Sequence, residues 1–328
     1  MLSNISVLKQ SQKVLYIYIM NALYLITVPL SFFIHFIFQK LFFKNKIFDT
    51  FNERTSHKTL ATRSGGVGVF VTVFLVSLFV YLKKIDLFDY SLFIPLGIML
   101  ILGIYDDIHD ADFKLKFLLQ IIVAKILIDQ GYIISNYYGF LGLYEIPRLL
   151  AQATTLFVFI VVVNSINFID GIDGLAISEV IKIILLIEFF SAKNTPLYCL
   201  GVLTILSILP LFYYNFKKKR KVFLGDGGSL FLGTLVVVYI LHVLSPQYYF
   251  KPNFVFNKTL FSILIVFYPL FDLLRVFLIR LISNKSPFKP DQNHLHHILH
   301  KKNIKPIYNV LLIQSISVLL FFIFLYFD

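Results

Sequence analysis

The stretch LFVFIVVVNSINFIDGIDGLA, residues 156–176, joins an apolar run to a small acidic turn. Its first eight residues carry no polar side chain, so they suit the interior of a bilayer. Its end, NFIDGIDGLA (167–176), holds Asp170 and Asp173, each followed by a glycine. Carboxylates are costly in a membrane and are usually retained there for a function. The stretch therefore predicts a membrane helix that delivers an acidic turn to the water interface.

The whole chain has the composition of an integral membrane protein. Of its 328 residues 58% are hydrophobic, and the mean hydropathy is +0.80. We predict an all-α integral membrane protein of about ten transmembrane helices, in one polytopic domain over residues 1–328, because the apolar residues fall in blocks long enough to span a bilayer. The predicted segments are residues 14–39, 65–82, 88–105, 115–134, 150–169, 174–191, 197–214, 228–245, 259–281 and 308–327.

The distribution of Lys and Arg predicts the orientation. Most of them lie in residues 40–64, 215–227 and 280–307, which share one side with residues 106–114 and 170–173 when successive helices alternate in direction. We expect that side to be cytoplasmic and both termini to lie outside. The net charge of +12 then serves orientation and contact with anionic lipid. We accordingly expect membrane lipids, and no nucleic acid, as partners.

Four polar motifs fall at helix ends on this one side. They are GIYDDIHDAD (103–112), NSINFIDGIDGLA (164–176), FLGDGGSLFLG (223–233) and PFKPDQNHLHHILH (287–300). Carboxylates that converge repel one another unless a proton or cation neutralises them, and hard oxygen ligands suit Mg²⁺ or Mn²⁺. The GDGGS sequence at a helix start directs backbone N–H groups toward an anion. Together with the basic loops, these motifs predict a site for phosphoryl transfer.

The same motifs resemble those of the polyprenyl-phosphate N-acetylhexosamine-1-phosphate transferases, bacterial membrane enzymes that begin lipid-linked precursors of O-antigen, teichoic acid and peptidoglycan. The resemblance runs from about residue 50 to 300 and includes NERTSHKTLATRSGGVG (52–68) as the first cytoplasmic loop. It implies transfer of a sugar phosphate from a UDP-N-acetylhexosamine to undecaprenyl phosphate, with release of UMP. GlcNAc is the default sugar, and GalNAc, FucNAc and QuiNAc are the alternatives. The resemblance also implies Mg²⁺ as cofactor, with Mn²⁺ as a substitute, and a site on the cytoplasmic face of the bacterial inner membrane. A homodimer is compatible with it.

The resemblance also assigns roles to individual residues. Asp226 is the expected principal metal ligand, with Asp170 as a second. The candidate catalytic residues, which position or deprotonate the lipid phosphate and line the pocket, are Asp106, Asp107 and Asp173. The candidate substrate-binding residues are Arg63, Lys116, Asn167, Asp170, His294, His296 and His297, with His57 in the substrate loop. Lys116 fits a phosphate contact and an interfacial lysine equally well. His300, Asp110 and Asp112 are expected to be solvated.

Two other functions share parts of this pattern. A transporter also carries charges in its membrane helices, but near the midplane and often in repeated halves. A CDP-alcohol phosphotransferase uses similar metal chemistry, but it needs an arginine after its DG–A sequence, where this chain has Ile177. The motifs here lie at one interface and no repeat is visible, so we prefer the sugar-phosphate transferase.

Overall fold

The computed structural model describes residues 2–48, 60–283, 294–295, 298–299 and 304–326. Within them the chain forms eleven α-helices and one pair of short strands, which confirms the all-α prediction. The helices are α1 (Leu2–Lys44), α2 (Gly65–Leu82), α3 (Phe93–His109), α4 (Phe113–Asp129), α5 (Arg148–Ile169), α6 (Leu175–Phe190), α7 (Tyr198–Phe216), α8 (Gly225–Val243), α9 (Lys258–Ile265), α10 (Phe267–Ile282) and α11 (Pro306–Tyr326). The strands are β1 (Ala61–Thr62) and β2 (Lys221–Val222).

The helices are those of a multi-pass membrane protein. In the described part of the chain, seven helices are long and apolar enough to cross a membrane, and the pair α9 and α10 gives an eighth. Helices α4 and α6, with 17 and 16 residues, are shorter. Every predicted segment contains a helix, but a total of ten membrane spans stays a prediction.

The ninth predicted segment, residues 259–281, is not one helix. Helices α9 and α10 meet at a bend of 71°. Pro269 lies in the first turn of α10, where its missing N–H costs no helical hydrogen bond and its ring restricts continuation from the preceding helix. The hydropathy of the segment is continuous across this point, so hydropathy alone could not locate the break.

Helix α8 is the centre of the bundle and packs against α2, α3, α5 and α6. It is apolar on every side, as expected of a helix surrounded by others. Gly66 of α2 meets Gly228 of α8, and Gly103 of α3 meets the backbone of Asp226 so closely that a methyl group at either glycine would overlap backbone atoms. These contacts bring the end of α3 and the start of α8 together at the acidic motifs.

The strands β1 and β2 join the loop before α2 to the loop before α8. They pair in parallel, Ala61 with Lys221 and Thr62 with Val222. The N–H of Gly65 continues the pairing by donating to the carbonyl of Phe223 at 2.9 Å. This pairing carries the first loop to the acidic end of the bundle.

Candidate active site

One amide side chain connects two of the four motifs. Asn167, near the end of α5, donates from Nδ2 to Oδ1 of Asp226 and to Oγ of Ser229, both at 2.8 Å. Asp226 lies in the first turn of α8, although the sequence placed it just before that helix. Ser229 is fully buried. The NFIDGIDGLA and GDGGS motifs therefore meet, as predicted.

The paired aspartates belong to the last turn of α3, which continues to His109. The buried side chain of Asp107 accepts a hydrogen bond from the N–H of Gly227 at 3.2 Å. It also pairs with Arg63, whose Nη1 lies 3.2 Å from Oδ1. The β1–β2 pairing thus places Arg63 in the acidic cluster. The sequence analysis had assigned Arg63 to a substrate-binding loop.

Asp106 occupies the other side of the same turn. Its carboxylate pairs with Lys116 of α4, and its Oδ1 accepts from the N–H of Ala111 at 2.9 Å. The side chain of Asp106 also lies near that of Asp226. Lys116 is not directed to the membrane interface, and its contact with a phosphate stays a prediction. It forms an ion pair within the site.

Asp170 follows the last residue of α5, outside the membrane helices, and lies among other carboxylates. Burial raises the pKa of its carboxyl well above the ordinary 3.8. The negative charges of Asp226, Asp107 and Asp173 raise it further, and only Arg63 opposes them. The carboxyl therefore binds a proton tightly when no other cation neutralises its neighbours.

The remaining acidic candidates divide into two groups. Asp173 is 3% exposed, and its carboxylate pairs with Lys221 of β2. Asp110 and Asp112 are exposed loop residues between α3 and α4, as predicted. Lys221 belongs to the basic run 217–221, which the sequence analysis had assigned to orientation and contact with anionic lipid, so this contact to the acidic turn was missed.

The charges of the site do not balance. Among the described residues the cluster around Asp226 holds five carboxylates and three cationic side chains, an excess of two negative charges when every carboxylate is ionised. The carboxylates are Asp106, Asp107, Asp170, Asp173 and Asp226, and the cations are Arg63, Lys116 and Lys221. A hard divalent cation matches both this excess and the all-oxygen donor set.

The carboxylates are not already gathered as metal ligands. In the described part of the chain no three His, Cys, Asp or Glu side chains form a metal-binding group. The carboxylates engage lysine, arginine and amide donors instead. The oxygen ligands and the negative charge of the cluster therefore fit Mg²⁺. To bind the ion, some of these carboxylates have to leave their lysine, arginine or amide partners.

His294 is the predicted histidine that the structure describes. It is 5% exposed and pairs through Nδ1 with Oδ2 of Asp272 at 2.9 Å. Its ring lies 5.7 Å, between centroids, from that of Phe168 in the NFIDGIDGLA motif. The histidine motif therefore contacts the acidic turn, as the topology predicted. The other candidates His57, His296, His297 and His300 lie outside the described residues.

Asp272 is a residue of this site that the sequence interpretation missed. It is fully buried in α10, and its Oδ1 accepts from the N–H of Leu295 at 3.0 Å and from Nη2 of Arg275 at 2.9 Å. One carboxylate thus holds both the ring of His294 and the backbone that follows it. A carboxylate inside a predicted membrane segment is itself a signal of function and could have revealed this residue.

The fold and the site define a multi-pass membrane protein with an acidic, phosphate-compatible site at one end of its helices. Residues 89–244 match the model of glycosyl transferase family 4. The chain is 30% identical to a probable undecaprenyl-phosphate N-acetylglucosaminyl 1-phosphate transferase of Bacillus subtilis, over 81% of this chain and 75% of the relative. It therefore belongs to this family of transferases.

Other members show similar coverage. A decaprenyl-phosphate N-acetylglucosaminephosphotransferase of Mycobacterium leprae is 29% identical over 75% of this chain and 68% of its own. An undecaprenyl-phosphate alpha-N-acetylglucosaminyl 1-phosphate transferase of Escherichia coli is 26% identical over 79% and 72%. The family resemblance drawn from the motifs is confirmed.

Proposed function

We propose that this protein transfers N-acetylglucosamine 1-phosphate from UDP-N-acetylglucosamine to undecaprenyl phosphate. An oxygen of the lipid phosphate attacks the phosphorus that bears the sugar. The bond from that phosphorus to the UMP oxygen breaks, and UMP leaves with the bonding electrons. The products are a lipid-linked sugar diphosphate, from which cell-envelope polysaccharide synthesis starts, and UMP. The sugar and the lipid follow the names of the relatives.

The observation that carries this proposal is the meeting of three acidic motifs at Asp226. Asn167 bonds to it, Asp106 lies beside it, and the N–H of the next residue, Gly227, bonds to Asp107. Two phosphate substrates repel each other, so their reaction needs positive charge and fixed geometry. A bound Mg²⁺ would supply that charge as a Lewis acid.

The residues of the chain have separate tasks in this proposal. Asp226 and Asp170 would hold the metal, and Asn167 fixes the orientation of Asp226. Arg63 and Lys116, now paired with carboxylates, are placed to turn toward phosphate once a metal neutralises those carboxylates. A general base is not required, because a phosphate is largely ionised near neutral pH.

A lipid acceptor also suits the surroundings of the site. An apolar cleft of about 270 Å³ lies between α5, α8 and the bent pair α9 and α10. Its lining includes Phe157 and Val162 of α5, Ile240 of α8 and Val266 at the bend. Val162 precedes Asn167 on α5 by five residues, whereas Ile240 follows Asp226 on α8 by fourteen, so the cleft extends from near the site toward the opposite end of the bundle, as the tail of a lipid acceptor would.

The proposed location is the cytoplasmic face of the bacterial inner membrane. The basic run 217–221 and Arg63 belong to the end of the bundle that carries the site, as the positive-inside rule requires. In a Cys199→Ser background, single cysteines at residues 52–58 and 250–256 can be labelled on intact cells with an impermeant reagent. We expect labelling only at 250–256, and the opposite pattern contradicts the orientation.

The direct test is a transferase assay on membranes with undecaprenyl phosphate and a panel of radiolabelled UDP-N-acetylhexosamines. We expect labelled lipid from UDP-N-acetylglucosamine and loss of product with EDTA. Asp226→Asn should lower turnover by roughly 100-fold or more. The matched control is Asp129→Asn, because Asp129 is an exposed carboxylate paired with Lys125 far from the site. No labelled lipid with any sugar, or equal effects of the two substitutions, refutes the proposal.

A further inference from the structure

A second group of buried polar side chains lies inside the membrane bundle, between α6 and α11. Lys182 pairs through Nζ with Oε1 of Glu179 at 2.6 Å and donates to Oγ of Ser317 at 2.7 Å. Gln314 donates from Nε2 to Oε2 of Glu179 at 2.9 Å and to Oγ of Ser178 at 3.1 Å. Glu179 is fully buried. We call these five residues the α6–α11 polar cluster.

This cluster is not needed to keep the two helices in the membrane. Most other side chains of the two helices are apolar, and apolar helices in lipid gain little from one particular register. Buried ion pairs contribute specificity more readily than stability. The cluster provides specificity here, because Gln314 and Ser317 reach the ion pair of α6 at one axial position of α11 only.

The two helices joined by the cluster both lead to the site. Helix α6 begins directly after the acidic turn that holds Asp173. Helix α11 packs against α10, where the rings of Phe267 and Phe324 lie 6.1 Å apart. Helix α10 carries Asp272, which holds His294. Helix α11 therefore forms, together with α5, part of the surface against which α10 packs, and α10 anchors the histidine segment (residues 287–300) through Asp272 and His294.

We propose that the α6–α11 polar cluster is a positioning device that holds the histidine segment over the acidic turn. Gln314 and Ser317 fix the register of α11 on α6, and α10 transmits it to Asp272 and His294. These are positioning residues and not catalytic ones, since they act through Asp272. The inference rests on the proposed function for its kinetic test and on the fold alone for its structural test.

The test variant is Gln314→Leu combined with Ser317→Ala. It removes the contributions of α11 and leaves the Glu179–Lys182 pair of α6 intact, so no buried charge loses its counter-ion. We expect the KM for UDP-N-acetylglucosamine to rise roughly five- to thirtyfold, the usual scale of coupling through a shared element. The KM for the lipid phosphate should stay unchanged. Ser317→Thr, which keeps the hydroxyl, should behave as wild type.

The chain offers a control of the same chemistry. Gln130 donates from Nε2 to Oγ of Ser91 at 3.1 Å, at the end of α4 away from the site. Gln130→Leu combined with Ser91→Ala removes the same two side-chain types and should change the donor KM by less than about twofold. Thermal stability of both double variants is measured in detergent. Equal rises in donor KM, or no rise in the α11 variant, overturn the proposal.

A second readout does not depend on the reaction. Leu299 is half-buried in the described part of the histidine segment and packs against the core. Leu299→Cys in the Cys199→Ser background should react faster with maleimide when the α11 contacts are removed, and not when the control contacts are removed. If wild type makes no lipid product, the proposed function fails and this labelling still decides the inference. Equal labelling rates in both double variants overturn it.

Discussion

Replacing Asn167 by leucine removes the amide that joins the NFIDGIDGLA and GDGGS motifs. Leucine has a similar volume but cannot donate to Oδ1 of Asp226 or to Oγ of Ser229, each 2.8 Å from Nδ2 in the native protein. A hydrogen bond to a charged group contributes about 1.5–3 kcal/mol. We therefore expect kcat/KM to fall by roughly 10- to 150-fold, since each 1.4 kcal/mol is a factor of ten.

The assay is transfer of labelled sugar phosphate to undecaprenyl phosphate by purified protein, at several Mg²⁺ concentrations. Because a wrongly oriented Asp226 is a poorer ligand, the Mg²⁺ concentration for half-maximal rate should also rise. Ser229→Ala is the control: it removes the neutral partner of Asn167 and a longer hydrogen bond, 3.3 Å, from Oγ of Ser229 to the carbonyl of Asp226, each contributing about 0.5–1.5 kcal/mol. Near-normal activity of Asn167→Leu, or an equally large loss in Ser229→Ala, refutes the role given to Asn167.

Three further predictions follow from the same geometry. The raised pKa of Asp170 means that the folded protein binds its proton more tightly than the unfolded chain, so the metal-free protein should lose thermal stability as pH rises above 3.8. Asp170→Asn should flatten this pH dependence. A pH dependence of the melting temperature that the substitution leaves unchanged contradicts the raised pKa of Asp170. Asp272→Asn keeps an acceptor but loses the charge that strengthens its hydrogen bonds to the histidine segment. It should raise the KM for the sugar-nucleotide donor by about tenfold in steady-state assays, and an unchanged KM contradicts the role of Asp272 in holding that segment. Gly225→Ala places a Cβ 2.7 Å from Oδ2 of Asp107 at a φ of +76°, so it should lower both the melting temperature and the activity. Gly131→Ala, at a φ of +92° with no atom within 4 Å, should carry the backbone penalty alone, and equal losses in the two variants contradict the argument from crowding at Gly225.

The sequence predicted the features that depend on local pattern. Blocks of apolar residues located the helices, and the ends of those blocks located the acidic motifs. Alternation of helix direction then placed Asp106, Asp170 and Asp226 on one side. The contacts between Asn167 and Asp226 and between Arg63 and Asp107 confirm that convergence. Helix boundaries were less accurate, and Asp226 proved to lie within its helix.

The features that the sequence did not predict depend on contacts between distant segments. Strands β1 and β2 have two residues each, too few for an alternating pattern. Lys221 stands in a basic run whose orienting role concealed its pairing with Asp173. Asp272 and Glu179 are single carboxylates within apolar segments. Their partners, His294 and Gln314, are far away in sequence, so the fold alone brings them together.

The most direct test of the account is acceptor-dependent release of UMP. Purified, delipidated protein is incubated with UDP-N-acetylglucosamine and Mg²⁺, with and without undecaprenyl phosphate, and UMP and lipid product are both quantified. Direct transfer between two substrates aligned at the acidic site predicts one UMP for each lipid-linked sugar diphosphate, and no UMP without the lipid. UMP release or UMP exchange without the lipid, together with a phospho-sugar trapped on Asp106 or Asp107, would contradict direct transfer. Absence of lipid product under all conditions would contradict the proposed reaction itself.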